Sequence, residues 1–120
     1  MKHFSIALAG AVLLGSASLS HAADLASGKA VWDKLNCASC HGADAVKSVD
    51  PSYPILAGQY ADFLVHALKA YQRGASGAPA SANVRKNAIM GAFAKQLSPQ
   101  DIKNVSAWLA AQPSPLSVRQ

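Results

Sequence analysis

An all-α fold is what this sequence predicts, and three observations carry the prediction. Apolar residues recur at helical spacing in several stretches, with Gly- and Pro-bearing segments between them. No run alternates apolar and polar residues well enough to read as a convincing strand. Early in the helical region stands Cys37-Ala38-Ser39-Cys40-His41, a cluster of reactive and metal-ligating side chains around which the other elements can be organised. About four helices are expected.

The chain of 120 residues opens with the layout of an export signal. Lys2 and His3 form a short positive segment, Phe4–Leu14 is apolar, and Ser16–Ala22 is small and polar, ending in Ser20-His21-Ala22. These features predict a secretory signal peptide over residues 1–22, cleaved after Ala22. Its apolar stretch is short and flanked or interrupted by Gly10 and Gly15, so no permanent membrane insertion is expected after cleavage. Residues 23–120 then make one domain of 98 residues, with ten Lys and Arg against six Asp, no Glu and a net charge of +4. A domain of this size has a modest core and gains from a staple. Its basic residues are scattered, without a stripe or interleaved aromatics, which argues against nucleic acid as a partner. A mild positive charge suits salt-sensitive docking on acidic protein surfaces.

A first helix is expected over 24–36, with Asp24 as N-cap and Leu25, Val31, Trp32 and Leu35 as its apolar stripe. Gly28, one turn before Trp32, marks either a tolerated surface position or the close approach of another helix. The helix runs directly into Cys37.

Cys-x-x-Cys-His in an exported chain is the attachment signal for c-type haem. The two thiols add across the porphyrin vinyl groups as thioethers, and His41, next in sequence, falls on the proximal face of the iron. A zinc site would need about four ligands, and the expected mature chain offers only Cys37, Cys40, His41 and the distant His66. A thioredoxin-like pair would need alternating strands and helices around it. A structural disulfide is the third alternative, and the haem-attachment signal outweighs it. The prediction is therefore one covalently attached haem c, on Cys37 and Cys40, wrapped by the helices.

Gly42 lets the chain turn away from the ring, and 43–52 reads as loop, with Asp50-Pro51 as a turn signal. Pro54 follows in a rigid extended segment. A ligating histidine ordinarily donates its second ring proton to a carbonyl or carboxylate, so the Pro54 carbonyl is a candidate acceptor; an ordinary turn proline is the equal alternative. A second helix is expected over 59–73, its apolar face made by Tyr60, Phe63, Leu64, Ala67, Leu68 and Tyr71, with Gly74 ending it. Tyr60 and Tyr71 read as core aromatics and His66 as a solvent-facing residue. Small and turn-forming residues over 74–83 make a loop.

Met90 is the one methionine remaining after residues 1–22. A thioether is a soft ligand that favours ferrous iron, so Met90 is a candidate for the axial position across from His41, with His66, water or a vacant position as the competitors. A short helix over 87–96 carries it, with Phe93 and Leu97. Ser98-Pro99-Gln100-Asp101 then supplies an N-cap, a proline at the first helical position and an acid at the third. The last helix presents Ile102, Val105, Ser106 and Leu109, with Trp108 at the edge; Pro113 stops it, and 115–120 reads as an irregular tail.

Cys37-x-x-Cys40-His41, Pro54-x-Leu56-x-Gly58-Gln59, Met90 and Phe93-Ala94-x-x-Leu97-Ser98-x-x-Asp101-Ile102 stand in one order. In this ordered set the chain resembles the class I c-type cytochromes, in particular the small bacterial c553 kind and one half of the dihaem c4 kind. The resemblance covers essentially all of 23–120 and implies the cytochrome c fold around one haem. It implies His41 and Met90 as the axial ligands and the Pro54 carbonyl as acceptor of the His41 ring proton. It also implies a close crossing of the first and last helices, with Gly28 and Trp32 against Val105, Trp108 and Leu109. Arg85-x-Asn87-x-x-Met90 matches a recurring pattern in which the Asn supports the methionine side. With a single Cys-x-x-Cys-His run, this is not a complete dihaem protein.

The expectation that follows is a periplasmic one-electron carrier, not an enzyme. Electrons would pass between a reductase or dehydrogenase donor and an oxidase or other acceptor, docked at the thioether edge beside Cys37–Gly42. A cytochrome subunit held permanently by a periplasmic oxidoreductase is the alternative.

Overall fold

The computed structural model describes residues 22–116. The expected signal peptide, apart from Ala22, and the last four residues of the tail lie outside these described residues. Among them are five α-helices and no strand, in line with the all-α expectation. The helices are α1 (Leu25–Lys34), α2 (Ala38–His41), α3 (Ala61–Ala75), α4 (Ala88–Ala94) and α5 (Pro99–Ala110), with a short 3-10 turn at Ala80–Ala82. No helix of the described residues is long and apolar enough to cross a membrane.

Local signals start the helices. The Asp24 carboxylate accepts from the Ala26 N–H at 3.0 Å, satisfying an orphan donor at the start of α1, and from the Ser27 hydroxyl at 2.6 Å. Ser98 and Asp101 form a full capping box on α5, with Pro99 at its first position. Packing fixes the rest. α1 crosses α5 in the most extensive helix contact, and α3 packs on both α5 and α4.

Gly28 sits at the α1–α5 crossing, where an added Cβ would meet the Asn104 carbonyl carbon and the Trp108 Cβ, each at 2.7 Å. Trp32 and Trp108 stack across the same crossing with ring centroids 5.4 Å apart. A buried core of Trp32, Ala45, Ala57, Leu64, Val105 and Leu109 continues from there. Asn104 is buried at the seam, and its side-chain oxygen accepts from the Asp24 backbone N–H at 3.0 Å, pinning the start of α1 to α5.

Three local expectations change. Helix α3 continues through Gly74 to Ala75, because Gly74 serves packing: an added Cβ would strike the Arg85 carbonyl, which lies against the helix there. Tyr60 is 66% exposed and precedes α3 as its N-cap, so it is not a core aromatic. The chain after Asn36 does not enter the motif as a plain extension of α1; Asn36 adopts a left-handed φ of 50° and Ala38–His41 starts a separate turn of helix. That break turns the motif out of the α1 axis. His66 is exposed, as its place off the apolar stripe predicts.

Candidate haem site

A cavity of about 270 Å³ lies among all five helices, and its wall is mainly apolar. Cys37, Cys40, His41 and Met90 all line it. Leu35, Leu56, Leu64 and Leu68 are among the side chains that make the interior inhospitable to water. Among the described residues on this wall, Arg85 carries the one permanent charge. Its guanidinium lies over the rings of Phe63 at 5.5 Å and Tyr71 at 5.6 Å, an arrangement that holds the cation against the α3 face.

The α2 wall is built by backbone turns. The His41 N–H donates to the Cys37 carbonyl at 3.0 Å, and Gly42, at a φ of +82°, reverses the chain immediately afterwards. Both thiols are unlinked and half-buried, which leaves each able to form a thioether. Burial pushes the Cys37 thiol above its ordinary value.

His41 is buried, with its ring packed 6.3 Å from that of Trp32 and 6.1 Å from that of Tyr53. Its Nδ1 lies 3.3 Å from the Pro54 carbonyl oxygen. A carbonyl can only accept, so Nδ1 carries the proton and Nε2 keeps its lone pair. Burial lowers the imidazole's proton affinity, and the Pro54 hydrogen bond offsets part of that fall. The result is a neutral ring with one donor nitrogen free, the form a metal needs.

The α4 wall carries Met90, half-buried and one turn into a seven-residue helix. Asn87 caps that helix: its side-chain oxygen accepts from the Met90 N–H at 2.9 Å. Asn87 also lines the cavity. The structure thus brings Cys37, Cys40, His41, Met90 and Asn87 to one cavity, with Pro54 holding the histidine ring. His66 is not among the lining residues. The donor set is two thiols, an imidazole and a thioether around an apolar interior, and it fits a covalently attached haem.

The family model for cytochrome c matches residues 25–112. The chain belongs to the cytochrome c family. It is 37% identical over 95 residues to cytochrome c-554(548) of Halomonas halodenitrificans, a match covering 76% of this chain and 99% of that one. It is 33% identical over 122 residues to the thiosulfate dehydrogenase electron acceptor of Stutzerimonas stutzeri, covering 96% of this chain and 51% of that protein. Among solved structures it is similar to the reduced recombinant cytochrome c4 from Pseudomonas stutzeri, with a TM-score of 0.66 and 32% identity. That match covers 77% of this chain and 47% of the c4 chain, so the cytochrome described here spans about half the length of its c4-type relatives. These similarities are those of a class I c-type cytochrome, with one haem c on the Cys37–Cys40 pair and electron transfer, not catalysis, as its function.

Among the described residues, Lys69, Arg73 and Lys95 surround a shallow cleft between α3 and the end of α4, together with Gln72 and Ser76. Lys69 and Arg73 are one turn apart on α3, and the fold brings Lys95 beside them.

Proposed function

We propose that this cytochrome is a periplasmic one-electron carrier in which His41 and Met90 are the axial ligands of the haem iron. The observation that carries the proposal is the convergence of Cys37, Cys40, His41 and Met90 on one apolar cavity. Bound there, haem c supplies reversible one-electron chemistry at its iron. Cys37 and Cys40 anchor it from the α2 side. His41 offers Nε2, with its ring orientation held by the Pro54 carbonyl and by Trp32 and Tyr53. Met90 offers a soft sulfur from α4, a ligand type that favours the reduced state and raises the potential. The apolar lining keeps water out, which acts in the same direction.

Two ligands already supplied by the chain leave no position for a substrate, which suits electron exchange better than bond-making chemistry. Export to the periplasm is supported by the positive segment at Lys2 and His3, the apolar Phe4–Leu14 and the small residues before Ala23. The redox partners fit the same scheme: a dehydrogenase or reductase as donor, an oxidase or other protein as acceptor, and brief contact guided by charge. The similarity to a thiosulfate dehydrogenase electron acceptor supports a dehydrogenase as the donor.

The test is to reduce the holoprotein and expose it to CO. An unchanged low-spin spectrum, with reversible one-electron voltammetry, is the expected result. Ready formation of a CO complex would show an open or displaceable iron position and would replace the carrier with a ligand-binding haem protein.

A further inference from the structure

Helix α4 has seven residues, too few to be stable alone in water. Its main helix contact is with α3. The segment leading into it is tied down near its start: Arg73 donates to the Asn83 carbonyl through both Nε and a terminal nitrogen, at 3.2 and 2.7 Å. The Arg85 N–H donates to the Ala70 carbonyl at 3.0 Å. Its far end is buried at Gly91 and Ala94, and one side chain of α3 hydrogen-bonds to it. Gln72 Nε2 lies 2.9 Å from the Ala94 carbonyl and 2.9 Å from the Leu97 carbonyl.

Both acceptors are carbonyl oxygens, so the two hydrogens of one primary amide are used, one on each. Ala94 is the last residue of α4, and its carbonyl also accepts from the Leu97 N–H at 3.1 Å, so the amide reinforces the turn that closes the helix. Met90 lies between the two ties. Gln72 does not line the haem cavity.

We propose that Gln72 is a positioning residue for the methionine ligand: its amide latches the end of α4 to α3 and sets how easily the Met90 sulfur leaves the iron. The inference rests on the axial assignment of Met90 proposed above. In this proposal the sulfur leaves the iron as α4 shifts against α3. That shift breaks both Gln72 hydrogen bonds, one at the last carbonyl of α4 and one at the Leu97 carbonyl in the link to α5. Without the amide, the displaced state becomes more accessible while the ligand atoms themselves are unchanged.

The test uses ferric holoprotein and imidazole, which binds the iron only after the methionine has left. Loss of the far-red band between methionine and ferric iron reads the displacement. Gln72→Leu, which keeps the volume and removes both donors, is expected to raise imidazole affinity by about tenfold or more, the scale of two net hydrogen bonds. Gln72→Asn, too short to reach both carbonyls, should fall between wild type and Gln72→Leu and covers the case where the leucine variant does not fold. Gln112→Leu is the control, because Gln112 Nε2 likewise donates to a helix-end carbonyl, that of Trp108, at 2.9 Å in α5. It should lower unfolding stability and leave imidazole affinity unchanged. Equal affinities in wild type and both Gln72 variants, with the far-red band intact, would overturn the role of Gln72 and leave Met90 in place. Equal increases in the Gln72 and Gln112 variants would mean general loosening and would also overturn it. Absence of the band in the wild type would remove Met90 as ligand and the latch with it.

Discussion

His41 and Met90 reach the same cavity from walls that are held in different ways. The His41 wall is continuous with the main core: its ring packs on Trp32, and Trp32 stacks on Trp108 across the α1–α5 crossing. The Met90 wall is a short helix hung on α3, with Met90 itself half-buried and its neighbour Ile89 54% exposed. His41 is locked by burial and ring packing, Met90 by a cap and a few hydrogen bonds. The contrast predicts that damage on the histidine side prevents the protein from forming, while damage on the methionine side leaves a folded protein with a changed iron.

The largest effect should come from His41→Ala. It removes the proximal donor and a buried ring, and stable low-spin holoprotein should fail to accumulate, read by haem content after purification; a normal yield would contradict the proximal assignment. Gly28→Ala should be next. Its new methyl would press on Asn104 and Trp108, costing about 1–3 kcal/mol of unfolding free energy, measurable as a lower denaturant midpoint. The far-red band should survive in whatever protein folds. Asn87→Ala removes the cap of α4 and should cost about 1 kcal/mol at that helix, seen as faster hydrogen exchange at the Met90 amide. An equal loss of global stability would show that the two walls open together and would erase the contrast.

The smallest effect is a pH dependence at the junction after the methionine segment. Hydrogen bonds from the Ser98 hydroxyl and N–H hold the Asp101 carboxyl below its ordinary value. A lowered folded-state pKa stabilises the fold above the unfolded value and loses that contribution as pH falls through the folded one. Asp101→Asn should therefore flatten the acid limb of the stability curve below about pH 4, with a change under about 0.5 kcal/mol for so exposed a pair. An unchanged acid limb would mean that the capping box contributes nothing measurable.

What was legible in the sequence was local chemistry. Asp24 and Ser98-Pro99-x-Asp101 announce helix starts because capping needs only neighbouring residues. The Cys-x-x-Cys-His run announces a haem because its spacing is the attachment geometry. The features missed are those that depend on what arrives from far along the chain. Gly74 looks like a helix terminator until the Arg85 carbonyl is seen lying against it. Tyr60 matches the apolar stripe of α3 but sits at its N-cap, before the face is covered. Gln72 has no signal at all, since a glutamine on the polar side of a helix is what solvent exposure also predicts; its partners lie 22 and 25 residues away. Asn104 is similar, a polar residue outside the expected α5 stripe, one of whose partners, the Asp24 N–H, is 80 residues distant.

In the proposed carrier, α4 delivers the second axial ligand. The direct measurement is the far-red absorption of the ferric holoprotein together with its reduction potential, for wild type and Met90→Ala. Wild type should show the band at high potential, and Met90→Ala should lose the band and fall in potential while keeping its covalent haem. An identical spectrum and potential in the two proteins would contradict the claim.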